Sequence, residues 1–379
     1  MKFNIDRKEF VKGLNKLQAI AEKNSNTPIL GSILIKRESA DQISLFGTNL
    51  EISLSVPCAA EGVTEGRMAI EGRKLYEIVK ELPDGPVTCA LLENQLVQIT
   101  AGKSKFKLQS YNPDDYPIQE VEKVEFQFEM TGKDFLGMVK KTCFAIGEND
   151  NRYVLNGMLA FYRREENGAG SVRFVGTDGH RLAVSGSLVS PPSNGAPPAS
   201  PLEKKLIVPR KAVMEMKKLV SDSGVETLTL ASGRSQLAAT IGPLRFSARL
   251  LEGTYPDYSA ILPKEFSKQV TFRKDEMVQA IQRVSILSNQ NGKGVKLAID
   301  PEKATLSSES ENGQAEDQIP VMYEGPGIET GFNARYFLDV LSANENDELV
   351  MSMNDPLAPV SFKNPSDPNS LWVVMPMRI

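Results

Sequence analysis

The stretch that decides the fold lies near the start of the chain and reads Phe3-Asn-Ile-Asp-Arg-Lys-Glu-Phe10. It has the layout of a short strand, a polar turn and a helix whose acidic first turn suits the positive end of the helix dipole. Two later stretches share this layout, Phe128-Glu-Met-Thr-Gly-Lys-Asp-Phe135 and Val270-Thr-Phe-Arg-Lys-Asp-Glu-Met277. A layout that recurs along a chain marks a repeated structural unit, so the sequence predicts three copies of one plan.

A second helix is predicted later in each third, and all three of these helices begin with arginine. They are Arg73-Lys-Leu-Tyr-Glu-Ile-Val-Lys-Glu-Leu82, Arg210-Lys-Ala-Val-Met-Glu-Met-Lys-Lys-Leu219 and Arg335-Tyr-Phe-Leu-Asp-Val-Leu341. Between the helices lie alternating runs such as Ile52-Ser-Leu-Ser-Val56, with the period of two that half-buried strands show. The fold class predicted is therefore α+β, with three structurally similar domains that each pack two helices on antiparallel sheets.

The predicted domain boundaries fall where this pattern restarts. They divide the chain into residues 1–124, 125–267 and 268–379. A proline-rich stretch, Ser190-Pro-Pro-Ser-Asn-Gly-Ala-Pro-Pro-Ala-Ser-Pro201, has the composition of a linker. Because it falls in the middle of the second repeat, we interpret it as a surface loop.

Composition is that of a soluble globular protein. The 379 residues are 41% hydrophobic and 24% charged, and no apolar run approaches the roughly 20 residues of a membrane-spanning helix. The first residues alternate apolar and polar side chains, unlike a signal peptide, so a cytoplasmic location is expected. Cys58, Cys89 and Cys143 are odd in number and widely spaced, which predicts buried free thiols rather than disulfides or a zinc site.

Charge distinguishes the six predicted helices from the rest of the chain. The helices carry 18 Lys or Arg against 8 Asp or Glu, whereas the whole chain has 44 basic and 48 acidic residues. On the first helix Lys8, Lys12 and Lys16 recur every four residues, on a different face from the apolar side chains. If the helices line one surface, that surface attracts phosphates and holds DNA without reading its sequence. Salt-bridged helix faces of mixed sign are the alternative.

His180 is the only histidine, and the Asp-Gly-His-Arg sequence around it raises the alternative of a hydrolase on a repeated scaffold. No Gly-x-Ser-x-Gly elbow accompanies it, and Asp178 is two residues away, a spacing typical of a tight turn. A metal-binding spacing of His and Cys and a phosphate-binding glycine-rich motif are also missing. The sequence therefore predicts no catalytic residue, metal site or cofactor. An interaction scaffold that never contacts DNA is a third alternative.

Five motifs resemble the beta subunit of bacterial DNA polymerase III, the bacterial sliding clamp family. They are Pro28-Ile-Leu-Gly31, Asn156-Gly-Met158, Thr177-Asp-Gly-His-Arg-Leu-Ala183, Tyr255-Pro-Asp-Tyr258 and Val374-Met-Pro-Met-Arg-Ile379. The resemblance covers essentially the whole chain. It implies a non-catalytic protein whose three clamp domains form, in a head-to-tail homodimer, a closed ring around double-stranded DNA.

The resemblance also implies the partners of such a ring. A clamp-loader complex opens it, and the replicative polymerase alpha subunit and other polymerases and repair proteins tether to it through short linear motifs, which confers processivity. No membrane and no cofactor are implied. Tethering raises the local concentration of a partner at the primer end without any new contact to DNA.

An apolar cleft between the second and third domains is the implied binding site for these motifs. Transferred motif by motif, its residues are Leu155, Thr177, Gly179, His180, Arg181, Leu182, Pro256, Ile261, Val360, Val374, Met375, Pro376, Met377 and Arg378. Methionine side chains are flexible and polarizable, which suits a pocket with several partners. Ala260 stands where the family has an arginine, so the charge of the cleft rim differs here.

The basic helices and the resemblance together predict the side chains that face DNA. These are Lys8, Lys12, Lys16, Lys23, Arg73, Lys80, Lys140, Arg152, Tyr153, Arg210 and Lys217. Asn24, next to Lys23, replaces an arginine of the family. The dimer contacts implied are Lys74, Lys105, Phe106 and Leu108 of the first domain and Ile286 and Leu287 of the third. Read alone, Phe106 and Leu108 are typical of a core strand, which is the alternative interpretation.

Overall fold

The structure, a computed structural model, describes residues 1–21, 27–118, 123–164, 170–191, 203–261, 265–288 and 294–378. Lys23, Asn24 and residues 192–201 of the proline-rich stretch lie outside the described residues, and so does the side chain of Ile261. What the sequence predicts for them stays a prediction.

Six α-helices lie in the described residues, two in each third of the chain. Their bounds are α1 (Arg7–Leu17), α2 (Gly72–Glu81), α3 (Gly132–Thr142), α4 (Arg210–Ser223), α5 (Lys274–Ser285) and α6 (Ala334–Ala343). Each begins at the residue after a strand ends, which is the strand-to-helix layout that the repeat predicts. None of these helices is long and apolar enough to cross a membrane.

Strands make up most of the remaining described chain. In chain order they are β1 (Lys2–Asp6), β2 (Ser32–Arg37), β3 (Gln42–Thr48), β4 (Ile52–Ala59), β5 (Arg67–Glu71), β6 (Pro86–Leu91), β7 (Leu96–Ala101), β8 (Ser104–Tyr111), β9 (Phe126–Thr131), β10 (Gly157–Arg164), β11 (Gly170–Thr177), β12 (Arg181–Val189), β13 (Glu203–Pro209), β14 (Thr227–Ser232), β15 (Gln236–Ile241), β16 (Leu244–Arg249), β17 (Lys268–Arg273), β18 (Gly294–Asp300), β19 (Lys303–Ser310), β20 (Gly313–Pro320), β21 (Met322–Tyr323), β22 (Ile328–Asn333), β23 (Glu348–Met353), β24 (Val360–Asn364) and β25 (Asp367–Val374).

Residue contacts divide the chain into two compact units. Unit 1 comprises residues 1–132, 190–200 and 214–250, and unit 2 comprises residues 133–189, 201–213 and 251–379. Unit 1 holds a twelve-stranded sheet in the order β1-β6-β7-β8-β5-β2-β3-β4-β16-β15-β14-β9. Unit 2 holds a nine-stranded sheet, β13-β10-β11-β12-β25-β24-β23-β17-β21, and a four-stranded sheet, β20-β19-β18-β22. Helices that pack on antiparallel sheets confirm the α+β fold class.

Polar caps explain why the helices begin where they do. Asp6 ends β1, and its carboxylate accepts hydrogen bonds from the N–H groups of Lys8 at 2.9 Å and Glu9 at 3.2 Å. Asn333 ends β22 and accepts the N–H of Arg335 at 3.0 Å in the same way. Such a cap satisfies N–H groups that the first helical turn leaves unpaired, and it contributes about 1 kcal/mol.

Strand pairing also joins different repeats. In unit 1, β16 of the second third pairs with β4 of the first, and Phe246 lies opposite Leu54. In unit 2, β12 of the second third pairs with β25 of the last, and Arg181 lies opposite Val374. This second pairing brings the motif that begins at Thr177 against the C-terminal motif, so it positions the candidate site.

The apolar face of the first helix is buried, as its periodicity predicts. Phe10, Leu14 and Leu17 are each 0% exposed. Burying a side chain of this size stabilises the fold by about 1.5–3 kcal/mol relative to leaving it in water. The opposite, basic face of α1 is therefore free to serve a surface function.

All three cysteines carry free thiols, as predicted. Cys58 and Cys89 are buried, and burial is the main cause that raises the pKa of each thiol to about 12. Cys143 is only half-buried. The prediction of buried thiols is confirmed for the first two and is wrong for Cys143, which lies in a short 3-10 helix at the end of α3.

Candidate functional site

The turn between β11 and β12 is held by its own side chains. Thr177 Oγ1 donates to the carbonyl of Arg181 at 2.7 Å and accepts the N–H of Gly179 at 3.1 Å. One carboxylate oxygen of Asp178 accepts the N–H groups of His180 and Arg181, both at 3.0 Å. The turn therefore presents Gly179 and His180 to solvent in one fixed shape.

Gly179 is favoured by the backbone conformation, and the Arg152 guanidinium fills the space beside it. Its φ is +82°, in the left-handed region that favours glycine. A Cβ added there would lie 2.6 Å from Nη1 of Arg152, so the guanidinium of Arg152 packs directly against the turn. Arg152 Nη2 also donates to the carbonyl of Asp178 at 2.8 Å.

Asp150 holds Arg152 in that position. Its two carboxylate oxygens accept hydrogen bonds from Nε at 2.9 Å and from Nη2 at 2.8 Å. These hydrogen bonds from Arg152 lower the pKa of Asp150 to about 2. Arg152, predicted to face DNA, thus supports the cleft turn in the structure.

Arg181 is a buried cation with partners on every side. Its side chain is 8% exposed, and its Nε donates to Asp178 at 3.0 Å while Nη1 donates to Asp339 of α6. The guanidinium also lies 4.5 Å from the ring centroid of Tyr336 and 5.4 Å from that of Phe144. A buried charge is tolerated when it is paired and hydrogen-bonded, so this network ties the turn to α6.

His180 has an exposed side chain that stacks on Tyr336, with ring centroids 6.0 Å apart and 19° between the planes. Its imidazole makes no side-chain hydrogen bond to the serines or carboxylates of the described residues, and the carboxylate of Asp178 is occupied by the turn and by Arg181. This geometry offers no relay for a hydrolase. In the described residues no group of three or more His, Cys, Asp or Glu could hold a metal ion.

An apolar cluster lies beneath this turn, and we call it the cleft floor. It consists of Leu155, Leu159, Val175, Leu182, Val184, Ile207, Tyr255 and Val373. All eight are at most 8% exposed. Burial raises the pKa of the Tyr255 hydroxyl above its ordinary value, and that hydroxyl donates to the carbonyl of Val175 at 3.3 Å.

Two predicted cleft residues do not reach the floor. Val360 and Val374 are Cα partners on β24 and β25, and both pack in a different core with Phe337. Val373, which the sequence reasoning passed over, is the residue of β25 that lies in the floor. Neighbouring residues of a strand face opposite sides of the sheet, so one position decides which core a side chain joins.

The C-terminal residues run along the turn. Met375 is 36% exposed, and its N–H donates to the carbonyl of His180 at 2.8 Å. The N–H of Met377 donates to the carbonyl of Gly331 at 2.8 Å. Pro376 and Met377 are half-buried, whereas Arg378 and, on another loop, Pro256 are exposed. The exposed rim is therefore formed by Gly179, His180, Met375, Pro256 and Arg378.

Two of the predicted DNA-facing residues of unit 1, Arg73 and Lys80, line a groove. Lys8 and Lys12 of α1 are exposed and Lys16 is half-buried. A groove of about 670 Å³ is lined by Asn15, Gln18, Ala19, Arg73, Tyr76, Glu77, Lys80, Glu81 and Lys218. Lys218 of α4 contributes to it, whereas its predicted neighbour Lys217 is half-buried.

Several predicted DNA-facing cations already have protein partners. Arg73 Nε lies 2.8 Å from a carboxylate oxygen of Glu77, and Lys140 Nζ lies 2.9 Å from Glu345. Arg210 donates to backbone carbonyls of Cys143 and Ile146. Tyr153 is 62% exposed. Lys8 Nζ also lies 3.5 Å from a carboxylate oxygen of Asp84. Mixed-sign pairing thus describes part of the helix surface, while Lys12 is exposed on α1.

Most of the predicted dimer residues are exposed in their own units. In unit 1, Phe106 on β8 is 39% exposed and Leu108 is half-buried, so the core-strand interpretation is wrong for Phe106. Lys105 is exposed and Lys74 pairs with Glu71 at 3.2 Å. In unit 2, Ile286 is 79% exposed and Leu287 is half-buried.

Three family models match the chain and together span nearly all of it. The model of the DNA polymerase III beta subunit, N-terminal domain, matches residues 1–122, that of the central domain matches 129–257, and that of the C-terminal domain matches 259–378. The chain belongs to the DNA polymerase III beta subunit family. The resemblance carried by the five motifs is confirmed, and so is the presence of three clamp domains.

Similar proteins across bacteria agree with this assignment. The beta sliding clamps of Vibrio cholerae and Escherichia coli strain K12 are 35% and 32% identical to this chain, and both alignments cover 100% of each protein. The crystal structure of the DNA polymerase III subunit beta from Pseudomonas aeruginosa is 30% identical to this chain, with a TM-score of 0.92. The crystal structure of a sliding clamp from that organism bound to griselimycin is 30% identical, with a TM-score of 0.91. Both matches cover 100% of each chain. The chain is thus a sliding clamp subunit, a non-catalytic processivity subunit of DNA polymerase.

Proposed function

We propose that two copies of this chain close head to tail around double-stranded DNA and that the cleft of unit 2 docks the short linear motifs of partner proteins. These partners are the replicative polymerase alpha subunit and other polymerases and repair proteins. The observation that carries the proposal is the rigid turn from Thr177 to Arg181, set beside the exposed Met375 above an apolar floor.

Docking requires the cleft rim to move. The floor residues are almost fully buried, so an apolar partner side chain reaches them only after a rim side chain shifts. Met375 is the best candidate, because methionine changes rotamer easily and makes contacts of many shapes. The turn itself is fixed by Asp178 and Arg181, so the cleft combines one rigid wall with one adaptable wall. The other assigned cleft residues, Pro256, Ile261, Val360, Val374 and the tail to Arg378, stay part of the proposal.

DNA is proposed to pass over the basic helix faces. Lys8, Lys12 and Lys80 are exposed cations on α1 and α2, and Lys218 lines the groove together with Lys80. Flexible lysine side chains contact phosphates without reading bases, so the protein can move along the duplex. Contacts of this kind weaken as salt rises, since each one releases counterions from DNA.

The dimer is proposed to form between two strand edges of opposite charge. On β8, Ser104 to Gln109 pair only with β7 among the described residues, and Lys105 and Lys107 are exposed beside Phe106. On the partner chain, β20 is the edge strand of its sheet and carries Glu316 and Asp317. Exposed strand edges pair readily, and opposite charges select the pairing. Ile286 and Leu287 then supply the apolar part of the interface.

The remaining features of the proposal follow from this architecture. The three clamp domains are assigned to residues 1–124, 125–267 and 268–379. The sequence has no phosphate-binding glycine-rich motif, so a separate clamp-loader complex opens the ring. The protein acts in the cytoplasm, where bacterial DNA is replicated.

Primer extension on a primed circle tests this function. With clamp loader and polymerase present, the intact chain should give long products from single binding events. A chain without residues 375–379 should give short products, because polymerase is no longer tethered, while its mass in light scattering stays that of a dimer. Long products from the truncated chain would contradict the assigned cleft.

A further inference from the structure

The sheet face that carries the cleft floor continues beyond it. Leu159 of β10 lies opposite Ile207 on one side and Val175 on the other, and Val175 lies opposite Val184. Two residues further along the strands, Phe161 lies opposite Lys205 and Arg173, and Arg173 lies opposite Gly186. Alternate residues of a strand share a face, so this second row extends the floor. We call Lys205, Phe161, Arg173 and Gly186 the outer strip.

The outer strip is accessible where the floor is not. Lys205 and Arg173 are exposed and Phe161 is half-buried, with one side packed against the floor. Nζ of Lys205 lies 5.3 Å from the ring centroid of Phe161. Gly186 has no side chain, so a partner chain can approach the β12 backbone beside the alkyl part of Arg173. The strip thus combines an aromatic surface, a strand position without a side chain and two cations.

Arg173 is the cation with the most free bonding capacity. Neither it nor Lys205 lies within 4.0 Å of a carboxylate among the described residues, whereas nearby Arg163 lies 3.9 Å from Glu203. The hydroxyl of Ser259 is the main cause that lowers the pKa of Asp257, and the charge of Lys205 adds a smaller lowering. An arginine offers five N–H donors in a planar fork that matches a carboxylate. The strip therefore has a vacant site for an acidic group at Arg173.

We infer that the outer strip binds the residues that flank a partner's docking motif, an acidic stretch that also carries an aromatic side chain. The inference rests on the proposed docking function of the cleft. Two residues of strand span roughly 6.7 Å, so Gly186 lies roughly 13 Å along β12 from Leu182 of the floor, the reach of about four extended residues. An extended partner segment seated on the floor thus passes over Phe161 and Arg173, where its aromatic ring packs and its carboxylate pairs.

Peptide binding measured by fluorescence anisotropy tests this inference. The core probe is the labelled pentapeptide Ala-Leu-Ala-Leu-Phe, and two extended probes add Glu-Phe-Glu-Glu at its N-terminal or C-terminal end. One extended probe should bind the intact chain about fivefold more tightly than the core probe, and the gain should shrink as salt rises. Arg173→Glu should remove the gain and leave affinity for the core probe unchanged.

A second variant adds a side chain at Gly186 without changing charge. A Cβ at Gly186 meets its nearest neighbour, Cγ of Arg173, at 3.4 Å, which is ordinary contact, so Gly186→Gln should fold normally and cover the β12 backbone. It should also remove the gain. Lys303→Glu makes the same kind of charge change at an exposed position of β19 and should preserve the gain.

The outcomes separate this inference from the docking function. If neither extension tightens binding, or if the gain survives both Arg173→Glu and Gly186→Gln, the outer strip is not a binding surface for such a flank. Binding of single-stranded oligothymidylate at the strip in place of the acidic peptide would also overturn it. If the core probe binds the intact chain no better than a chain without residues 375–379, the cleft assignment itself fails.

Discussion

The guanidinium of Arg181 is paired with the carboxylate of Asp339, although the two residues are 158 positions apart in the sequence. Arg181 begins β12 and is 8% exposed, and Asp339 lies on α6 and is 32% exposed. The pair links the turn of the second repeat to a helix of the third. The shape of the proposed cleft therefore depends on a contact between two repeats.

Replacing Asp339 with asparagine should loosen this link. Asp339→Asn keeps the volume and removes the charge, so the buried guanidinium of Arg181 loses one of its two carboxylates. Because Asp339 is partly exposed, we expect a loss of about 1–2 kcal/mol in the free energy of unfolding, less than for a fully buried pair. Affinity for the polymerase alpha subunit should fall about tenfold.

Chemical denaturation and a binding titration measure both effects. Arg335→Ala is the matched control, because Arg335 lies 4.0 Å from the same carboxylate but is 70% exposed. It should cost less than about 0.5 kcal/mol. Equal losses in the two variants would show that burial of Arg181 is not what makes the pair important.

Substituting Gly179 should separate the cost of backbone strain from the cost of crowding Arg152. Gly179→Ala places a Cβ against the Arg152 guanidinium and strains a backbone with φ of +82°. Gly224→Ala strains a similar backbone, with φ of +60°, but meets no atom within 4 Å. The control should lose about 1 kcal/mol of its free energy of unfolding from strain alone. The Gly179 variant should lose more free energy of unfolding and should also bind partner peptide less well. Equal stability of the two variants would contradict the packing role of Arg152.

Asp150 should make stability depend on acid pH. Its pKa is lowered from 3.8 to about 2 in the folded chain, so the carboxylate stabilises the fold above about pH 4 and this contribution is lost as pH falls toward 2. Urea denaturation between pH 2 and 5 should therefore show a shallower pH dependence for Asp150→Asn than for the intact chain. Parallel curves would mean that Asp150 is not paired with Arg152 in solution.

Charged substitutions at the proposed dimer edges should give monomers. Phe106→Asp and Ile286→Asp each place a carboxylate in the apolar part of the interface, and light scattering should report the 41.6 kDa of one chain instead of twice that mass. Met322→Asp makes the same change at a side chain that is 62% exposed elsewhere and should leave the dimer intact. Dimers in the first two variants would place the interface on another surface.

Local features of the structure could be predicted from the sequence. Helix starts follow from signals within a few residues, such as the Asp6 cap of α1 and the apolar spacing of Phe10, Leu14 and Leu17. The repeat presents these signals three times, so all six helices can be predicted from the sequence. The turn at Gly179 follows from its motif, because its hydrogen bonds to Asp178 and Thr177 lie within the motif itself.

Contacts between distant segments could not be predicted in this way. Nothing near Asp339 in the sequence indicates that it pairs with Arg181, and nothing near Arg152 indicates that it packs under Gly179. The choice between Val373 and Val374 depends on strand register, where a shift of one residue exchanges the two faces. Such features depend on how repeats pack against each other, which single-sequence periodicity does not encode.

The central claim is that a closed ring holds DNA by topology, and retention on circular and linearised DNA tests it most directly. Protein is loaded onto nicked circular plasmid with clamp loader, free protein is removed, and half of the sample is cut once with a restriction enzyme. We predict that the protein stays on the circle and leaves the linear molecule by sliding off its ends. Equal retention on both forms would contradict topological binding and would favour direct adhesion of the basic helices to DNA.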